Sequence, residues 1–233
     1  MRRTLGVVAL FAFAMILPGS GYAEKPDPVA QCQSKKVNAA TIFVKKLFYI
    51  QAASLKSDVF DMDGALMEAE AQFEERWNAA EASDRCDFPW GQEIEVVGDE
   101  ASPVSFADVG ELMDWIEEQV EDIAGLIVAA VDTTDQKSVN LGAAILRNAG
   151  QKAFSLLKAE AQYLNQPNDA KKSRQRERAM RSYENGYNKR LQKALAQGAQ
   201  VSAFTQDLLS DTEDEIDYLV DDIVTIFTAQ AQT

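Results

Sequence analysis

Apolar residues recur at intervals of three and four along most of the chain, which is the spacing of one face of an α-helix. The clearest stretch runs through Val109, Leu112, Ile116, Val120, Ile123 and Ile127. The same spacing occurs near residues 73–80, 180–194 and 216–227. Residues 93–97 have some strand character, but they form a short stretch between Pro89 and Gly98. We therefore predict an all-α fold in which residues 93–97 are loop.

Short sequence patterns also recur in the same order in the two halves of the chain. The pattern at 73–78 returns at 183–188, the pattern at 116–123 returns at 216–223, and Asn38-Ala39 returns as Asn148-Ala149. The offset is 110 residues for the first and last patterns and 100 for the middle one, as expected for a repeated structural unit with an insertion of about ten residues in the first copy. We predict a six-helix bundle built from two tandem three-helix repeats, at residues 24–131 and 140–233. The predicted helices span about residues 32–56, 62–85, 106–131, 140–164, 170–196 and 205–230, with an extra segment between the second and third.

The first 23 residues have the pattern of a secretory signal peptide. Arg2 and Arg3 precede an apolar run at 5–17, and Gly21-Tyr22-Ala23 is a small-residue cleavage site. The apolar run is shorter than the roughly 20 residues that span a bilayer. We expect cleavage after Ala23 and a periplasmic or secreted protein with no transmembrane span; an uncleaved N-terminal anchor is the alternative.

The chain has two cysteines, Cys32 and Cys86. Cys32 opens the first predicted helix and Cys86 follows the second, and an antiparallel helical hairpin brings those two ends together. Disulfides persist in the oxidising compartments that exported proteins reach. We predict a Cys32–Cys86 disulfide, with two free buried thiols as the alternative.

The chain contains no histidine, and this absence excludes many catalytic and metal sites. Ser-His-Asp triads, histidine-containing zinc sites and di-iron bundles all need that residue. The sequence also has no glycine-rich phosphate loop and no nucleophile elbow. We therefore expect no enzymatic activity and no cofactor. A glycan hydrolase using two carboxylates is the less favoured alternative, because 37 acidic residues make close pairs common by chance.

Residues 59–70 resemble an EF-hand calcium loop. Asp61, Asp63, Gly64 and Glu70 match ligand or turn positions, but Val59 stands where the first ligand should be. The simpler interpretation is a helix N-terminus capped by Asp61 or Asp63. We therefore treat Asp61, Asp63 and Glu70 as weak calcium candidates.

Charge is unevenly distributed along a chain whose net charge is −14. Residues 58–136 are strongly acidic and residues 143–200 are basic. The basic residues Lys171, Arg174, Arg178 and Arg181 fall on one helical face. The favoured interpretation is that the basic hairpin at 143–200 docks on the acidic first repeat and neutralises it, and the alternative is that the basic helix binds an anionic lipid or polysaccharide surface. Nucleic acid is not expected outside the cytoplasm.

Loops carry binding specificity more often than the faces of bundles do. Trp90 lies in the extra segment of the first repeat, beside Pro89 and Gly91. It is therefore our best candidate for a surface contact.

Two parts of the first repeat carry a family resemblance. They are Cys32-Gln33-Ser34-Lys35-Lys36-Val37-Asn38-Ala39-Ala40 and the stretch from Phe73 to Glu81, which is followed by Cys86. Together they resemble a cysteine-containing helical repeat found in secreted proteins of myxobacteria and related bacteria. That family has no established function, so the resemblance implies an exported helical-repeat protein and no particular activity.

These observations predict an exported, non-enzymatic helical bundle that acts as a binding or structural module of the cell envelope or exterior. Its expected partner is an unidentified envelope or extracellular protein. The alternative is a protein that binds calcium or an anionic surface. A concave apolar pocket between the two repeats would favour ligand binding, and a filled interface would favour scaffolding.

Overall fold

The computed structural model describes residues 27–82, 86–96 and 103–229. The described residues form α1 (Pro28–Ser54), α2 (Met62–Glu81), α3 (Val109–Ala129), α4 (Gln136–Asn165), α5 (Asp169–Ala196) and α6 (Gln206–Thr228). Their only β-pairing is a single bridge between Ile94 and Val104, so the all-α prediction is confirmed. The signal peptide predicted at 1–23 lies outside the described residues. Within them, no helix is both long enough and apolar enough to cross a bilayer.

Each helix begins at a residue whose side chain caps it. The capping side chains accept hydrogen bonds from backbone N–H groups of the first turn, which would otherwise have no partner inside the helix. The caps are Asp27, Asp61, Asp108, Asp135, Asn168 and Thr205. These local signals explain why the predicted and observed helix starts agree within a few residues. Helix α4 begins earlier than predicted because Asp135 caps it.

Helices α1 and α4 pack antiparallel along their whole length at the centre of the bundle. Near one end the Ser34 hydroxyl donates to the Ala161 carbonyl oxygen over 2.7 Å. Farther along, a Cβ on Gly150 would lie 2.7 Å from the Cβ of Phe48, so the two backbones approach closely there. The glycine therefore sets the spacing between the two central helices.

The outer helices surround this central pair in a pattern that matches between the two halves. Helix α2 packs on α1 as α5 packs on α4, and α3 and α6 pack on both central helices and on each other. Residues at matching repeat positions are buried in both halves, namely Phe73 and Tyr183, Trp77 and Tyr187, Ile116 and Ile216, and Val120 and Val220. This arrangement supports a duplicated three-helix unit, and the duplication stays a prediction.

The longer connection between α2 and α3 is anchored by aromatic residues. Trp90, the surface-contact candidate, is half-buried, and its ring lies 4.3 Å from Phe88 and 5.9 Å from Trp77; its role as a contact stays a prediction. Phe106 continues the cluster to Trp115 on α3. Trp90 therefore anchors the connection to the core.

The predicted disulfide between Cys32 and Cys86 is present, with 5.9 Å between the two Cα atoms. It joins the start of α1 to the residues that follow α2. Next to it, the buried Lys36 ammonium donates to the Cys86 carbonyl oxygen over 2.8 Å and pairs with Glu81. Burial lowers the pKa of Lys36 below its usual value, although the Glu81 carboxylate opposes this shift.

Removing the disulfide should destabilise the protein substantially. The bridge joins residues that are 54 apart in sequence. In the chain-entropy model, closing a loop of this length contributes about 4 kcal/mol to the free energy of unfolding. We expect the double substitution Cys32→Ala/Cys86→Ala to lower the free energy of unfolding by about that amount in urea titrations. The wild-type chain in reductant should show the same loss, and an unchanged midpoint would contradict the prediction.

Two glycine substitutions should have opposite effects on stability. Gly150→Ala places a Cβ against Phe48 and should lower the free energy of unfolding by about 1–3 kcal/mol. Gly125→Ala lies on the exposed side of α3 with nothing within 4 Å, and should raise that free energy by about 0.5–1 kcal/mol. Equal effects of the two substitutions would show that α1 and α4 are not closely packed at Gly150.

Candidate functional site

A groove of about 560 Å³ opens between α1, α2 and α4. Ligand sites for small molecules commonly have volumes of roughly 300–1,000 Å³. Helices α1 and α2 belong to the first predicted repeat and α4 belongs to the second, so the groove lies between the repeats.

The walls of this groove are largely apolar. Ile42, Tyr49 and Ala53 follow one another at helical spacing along the α1 wall. Phe60 and Ala65 close the groove near the start of α2, and Phe154 on α4 faces them from the other side. The Tyr49 side chain is 41% exposed, so apolar surface is available to a ligand.

The charged groups of the groove are mainly cationic. Among the described lining residues, Glu68 is the single acid, and it lies 3.6 Å from the Lys46 ammonium. The Lys45 ammonium lies 4.6 Å from the centre of the Phe154 ring. In the part of the chain that the structure describes, no carboxylate lies within ion-pair distance of Lys45 or Arg147. The groove therefore presents two unneutralised cations in a protein of net charge −14.

A second groove, of about 500 Å³, lies between α4 and α5 and shares Phe154 with the first. Its other lining residues are mainly polar or cationic, namely Ser155, Lys158, Gln162, Gln175, Arg178 and Ser182. The Lys158 ammonium lies 5.6 Å from the Phe154 ring, so ammonium groups from both grooves approach the same ring. We call the first groove the apolar groove and the second the polar groove.

The basic residues predicted on α5 do form an exposed stripe, made of Lys171, Arg174, Arg178 and Arg181. Arg178 also lines the polar groove. Helix α5 packs on α4 and α6, which both belong to the second half.

The basic hairpin, formed by α4 and α5, packs on the first half through α4, which contacts α1 and α3. On the inner side of α5, Arg176 pairs with Glu160 and Asp221, and Lys172 pairs with Glu160. No recorded ion pair within the described ranges joins α5 to the first half. The basic helix is instead neutralised in part by acids of its own half.

The weak calcium candidates do not lie together in a loop. Asp61 caps α2 by accepting from the Gly64 N–H over 2.9 Å, so the capping interpretation is confirmed. Residues 62–70 are helical, Asp63 is exposed on the first turn, and Glu70 contacts Glu117 of α3. No group of three or more metal-binding side chains forms among the residues that the structure describes.

Among the described carboxyl groups, Glu117 has a clearly raised pKa. Burial raises its pKa from 4.5 to about 7, and the nearby Glu70, Asp114 and Glu121 add to the shift. A separate cleft of about 340 Å³ brings Glu111, Asp114 and Glu118 beside Phe106 and Trp115, but Glu117 does not line it. The carboxylate hydrolase stays an untested alternative.

Sequence reasoning missed the residues that make the apolar groove. Lys45, Arg147 and Phe154 come from two stretches far apart in the chain, and neither stretch contains a known binding motif. Lys45 is followed by Lys46 and Arg147 by Asn148, so in sequence both cations read as part of the polar faces of amphipathic helices.

No family model, curated protein or solved structure matches this chain. The resemblance to the myxobacterial repeat therefore stays a prediction.

The Glu117 carboxyl should make stability depend on pH. Because its folded-state pKa is raised, the protonated form stabilises the fold below about pH 4.5, and this stabilisation is lost as the pH rises through about 7. We expect Glu117→Gln to have the same thermal midpoint as wild type near pH 4.5 and a higher midpoint at pH 8. The control Glu118→Gln removes an exposed charge from the same helix and should show no such pH-dependent gain. A constant difference between Glu117→Gln and wild type would contradict the prediction.

Proposed function

We propose that the protein is an exported, non-enzymatic binding protein that holds a single-chain anionic amphiphile in the apolar groove. The observation that carries this proposal is the pairing of apolar walls with two cations, Lys45 and Arg147, that have no carboxylate partner within the described structure. The ligand class is a fatty acid or a related molecule with one acyl chain and one negative charge.

The apolar walls favour an acyl chain because its burial removes hydrocarbon from water. Each buried methylene contributes about 0.8 kcal/mol, which corresponds to about a fourfold gain in affinity. The walls around Tyr49, Phe60 and Phe154 offer this kind of surface on three sides. A polar sugar alone would leave most of that surface in water.

The cations favour a negative headgroup over a neutral or positive one. Lys45 approaches the Phe154 ring, and Arg147 lies two helical turns before Phe154 on α4. A carboxylate between them would form charge-assisted hydrogen bonds, which are stronger than neutral ones. A trimethylammonium group at the same place would meet two like charges.

Export is supported by the Cys32–Cys86 disulfide, because such bonds persist in oxidising compartments. The pattern at residues 1–23 points to the same location. An exported bundle with an apolar groove is suited to carrying an amphiphile through an aqueous space.

The proposal is tested by titrating the purified chain with dodecanoate and with dodecyltrimethylammonium in a calorimeter, below the micelle concentration of each. We expect dodecanoate to bind and the cationic ligand to bind at least tenfold more weakly. Affinity should rise up to about fourfold for each added methylene until the groove is full. No binding of dodecanoate, or equal affinity for both charges, would overturn the proposal.

Substitutions in the groove make the test specific. A hydrogen bond to a charged group contributes about 1.5–3 kcal/mol, so Lys45→Met/Arg147→Met should weaken dodecanoate binding about tenfold or more. The control Lys171→Met/Arg174→Met removes two exposed charges near the start of α5, which do not line the apolar groove, and should leave dodecanoate affinity unchanged. Ala65→Phe should fill the groove and abolish binding, whereas Ala79→Phe on the exposed side of α2 should not.

A further inference from the structure

The polar groove adjoins the apolar groove at Phe154. Phe154 lines both, and it is flanked by the Lys45 ammonium at 4.6 Å and the Lys158 ammonium at 5.6 Å from its ring centre. An anionic group near this ring would therefore lie where both grooves can contribute a cation.

The chemistry of the polar groove differs from that of its neighbour. It offers the hydroxyl groups of Ser155 and Ser182, the carboxamides of Gln162 and Gln175, and the cations Lys158 and Arg178. Gln175 donates to Gln162 over 3.0 Å and Ser155 donates to the Gln151 carbonyl oxygen over 2.8 Å, but each of these groups keeps further hydrogen-bonding capacity. In the described part of the chain, no carboxylate pairs with Lys158 or Arg178.

We propose that the polar groove holds the headgroup of the same ligand, and that this ligand is an anionic lysophospholipid with a hydroxylated headgroup. This inference rests on the proposed function, because the acyl chain is assigned to the apolar groove. A phosphodiester near Phe154 would be shared by Lys45 and Lys158, and the headgroup hydroxyls would reach the serines, glutamines and Arg178.

A free fatty acid satisfies only part of this surface. A fatty acid has no group beyond its carboxylate, so nothing in it can reach Gln162, Gln175 or Ser182. A second acyl chain in the polar groove would cover these polar side chains without hydrogen bonds, which costs free energy. A glycerol headgroup has both the hydroxyl groups and the small size that the polar groove suits.

The exposed stripe on α5 points to an anionic membrane as the source of this ligand. Arg178 belongs both to the stripe and to the polar groove, and Lys171, Arg174 and Arg181 extend the positive charge along the same helix. Cationic surfaces are drawn towards anionic lipid surfaces over about a Debye length, roughly 8–10 Å at physiological salt. The rest of this acidic chain would be repelled, so an anionic membrane would orient the protein with its polar groove towards the lipid headgroups.

The experiment compares two ligands that share one acyl chain and differ in headgroup. Lauroyl lysophosphatidylglycerol and dodecanoate are titrated into the purified chain by calorimetry, below their micelle concentrations. We expect the lysophospholipid to bind at least tenfold more tightly than dodecanoate. The zwitterionic lysophosphatidylcholine of the same chain length should bind more weakly than lysophosphatidylglycerol, because its choline group would meet Lys158 and Arg178.

Variants in the polar groove separate this inference from the proposed function. Gln175→Leu/Arg178→Met, which leaves Lys158 and the Phe154 ring in place, should lower lysophosphatidylglycerol affinity at least tenfold and leave dodecanoate affinity unchanged. Lys189→Met/Lys193→Met removes two exposed charges farther along α5 and should change neither affinity. Ser182→Trp, which fills the polar groove without removing charge, should also weaken only the lysophospholipid.

The possible failures are distinguishable. If dodecanoate binds and the lysophospholipid gains nothing from its headgroup, the inference is wrong and the proposed function stands. The same conclusion follows if Gln175→Leu/Arg178→Met weakens both ligands equally or neither. If no acyl ligand binds the wild-type chain, the proposed function is wrong and the inference fails with it.

Discussion

The close antiparallel packing of α1 and α4 determines where every other helix can lie. It depends on small residues along the shared face, including the buried Ala40, Ala149 and Gly150. Helices α3 and α6 cross this pair and pack on each other, so they cover one side of it. Helices α2 and α5 lie against α1 and α4 respectively, and within the described structure they do not pack against each other. Both grooves occupy the space that α2 and α5 leave open, so the candidate site is a consequence of how the central helices pair.

Buried charges then fix which outer helix pairs with which central helix. Lys152 on α4 is fully buried and pairs with Glu213 and Asp217 of α6 at 3.2 and 3.0 Å. Glu160 on α4 pairs with both Lys172 and Arg176 of α5. Removing one partner of a buried pair leaves an uncompensated charge, which costs several kcal/mol. These pairs therefore disfavour alternative arrangements of the outer helices more than they add stability.

The fold was predictable from the sequence to a large extent, and the site was not. Helix positions follow from local signals, namely apolar spacing and capping residues such as Asp61 and Asp135, and the disulfide follows from the geometry of a helical hairpin. The pairing of the α5 cations within their own half was not predictable, because net charge summed over long stretches does not say which individual groups meet. Two acids of the second half, Glu160 and Asp221, lie where α5 packs and pair with Arg176. The grooves depend on the distance between helices that are far apart in sequence, and no local pattern records that distance.

The two grooves also occupy corresponding places in the two predicted repeats, and this correspondence bears on how a ligand site could arise. In the register that matches Phe73 with Tyr183, Ala65 of the apolar groove corresponds to Gln175 of the polar groove, and Glu68 corresponds to Arg178. A duplicated bundle would begin with two equal grooves on either side of the α1–α4 pair. Divergence at a few lining positions is then enough to make one groove suited to hydrocarbon and the other to a charged, hydroxylated group. A molecule with two chemically different ends could use both grooves at once, whereas two identical grooves would bind two copies of a simpler ligand.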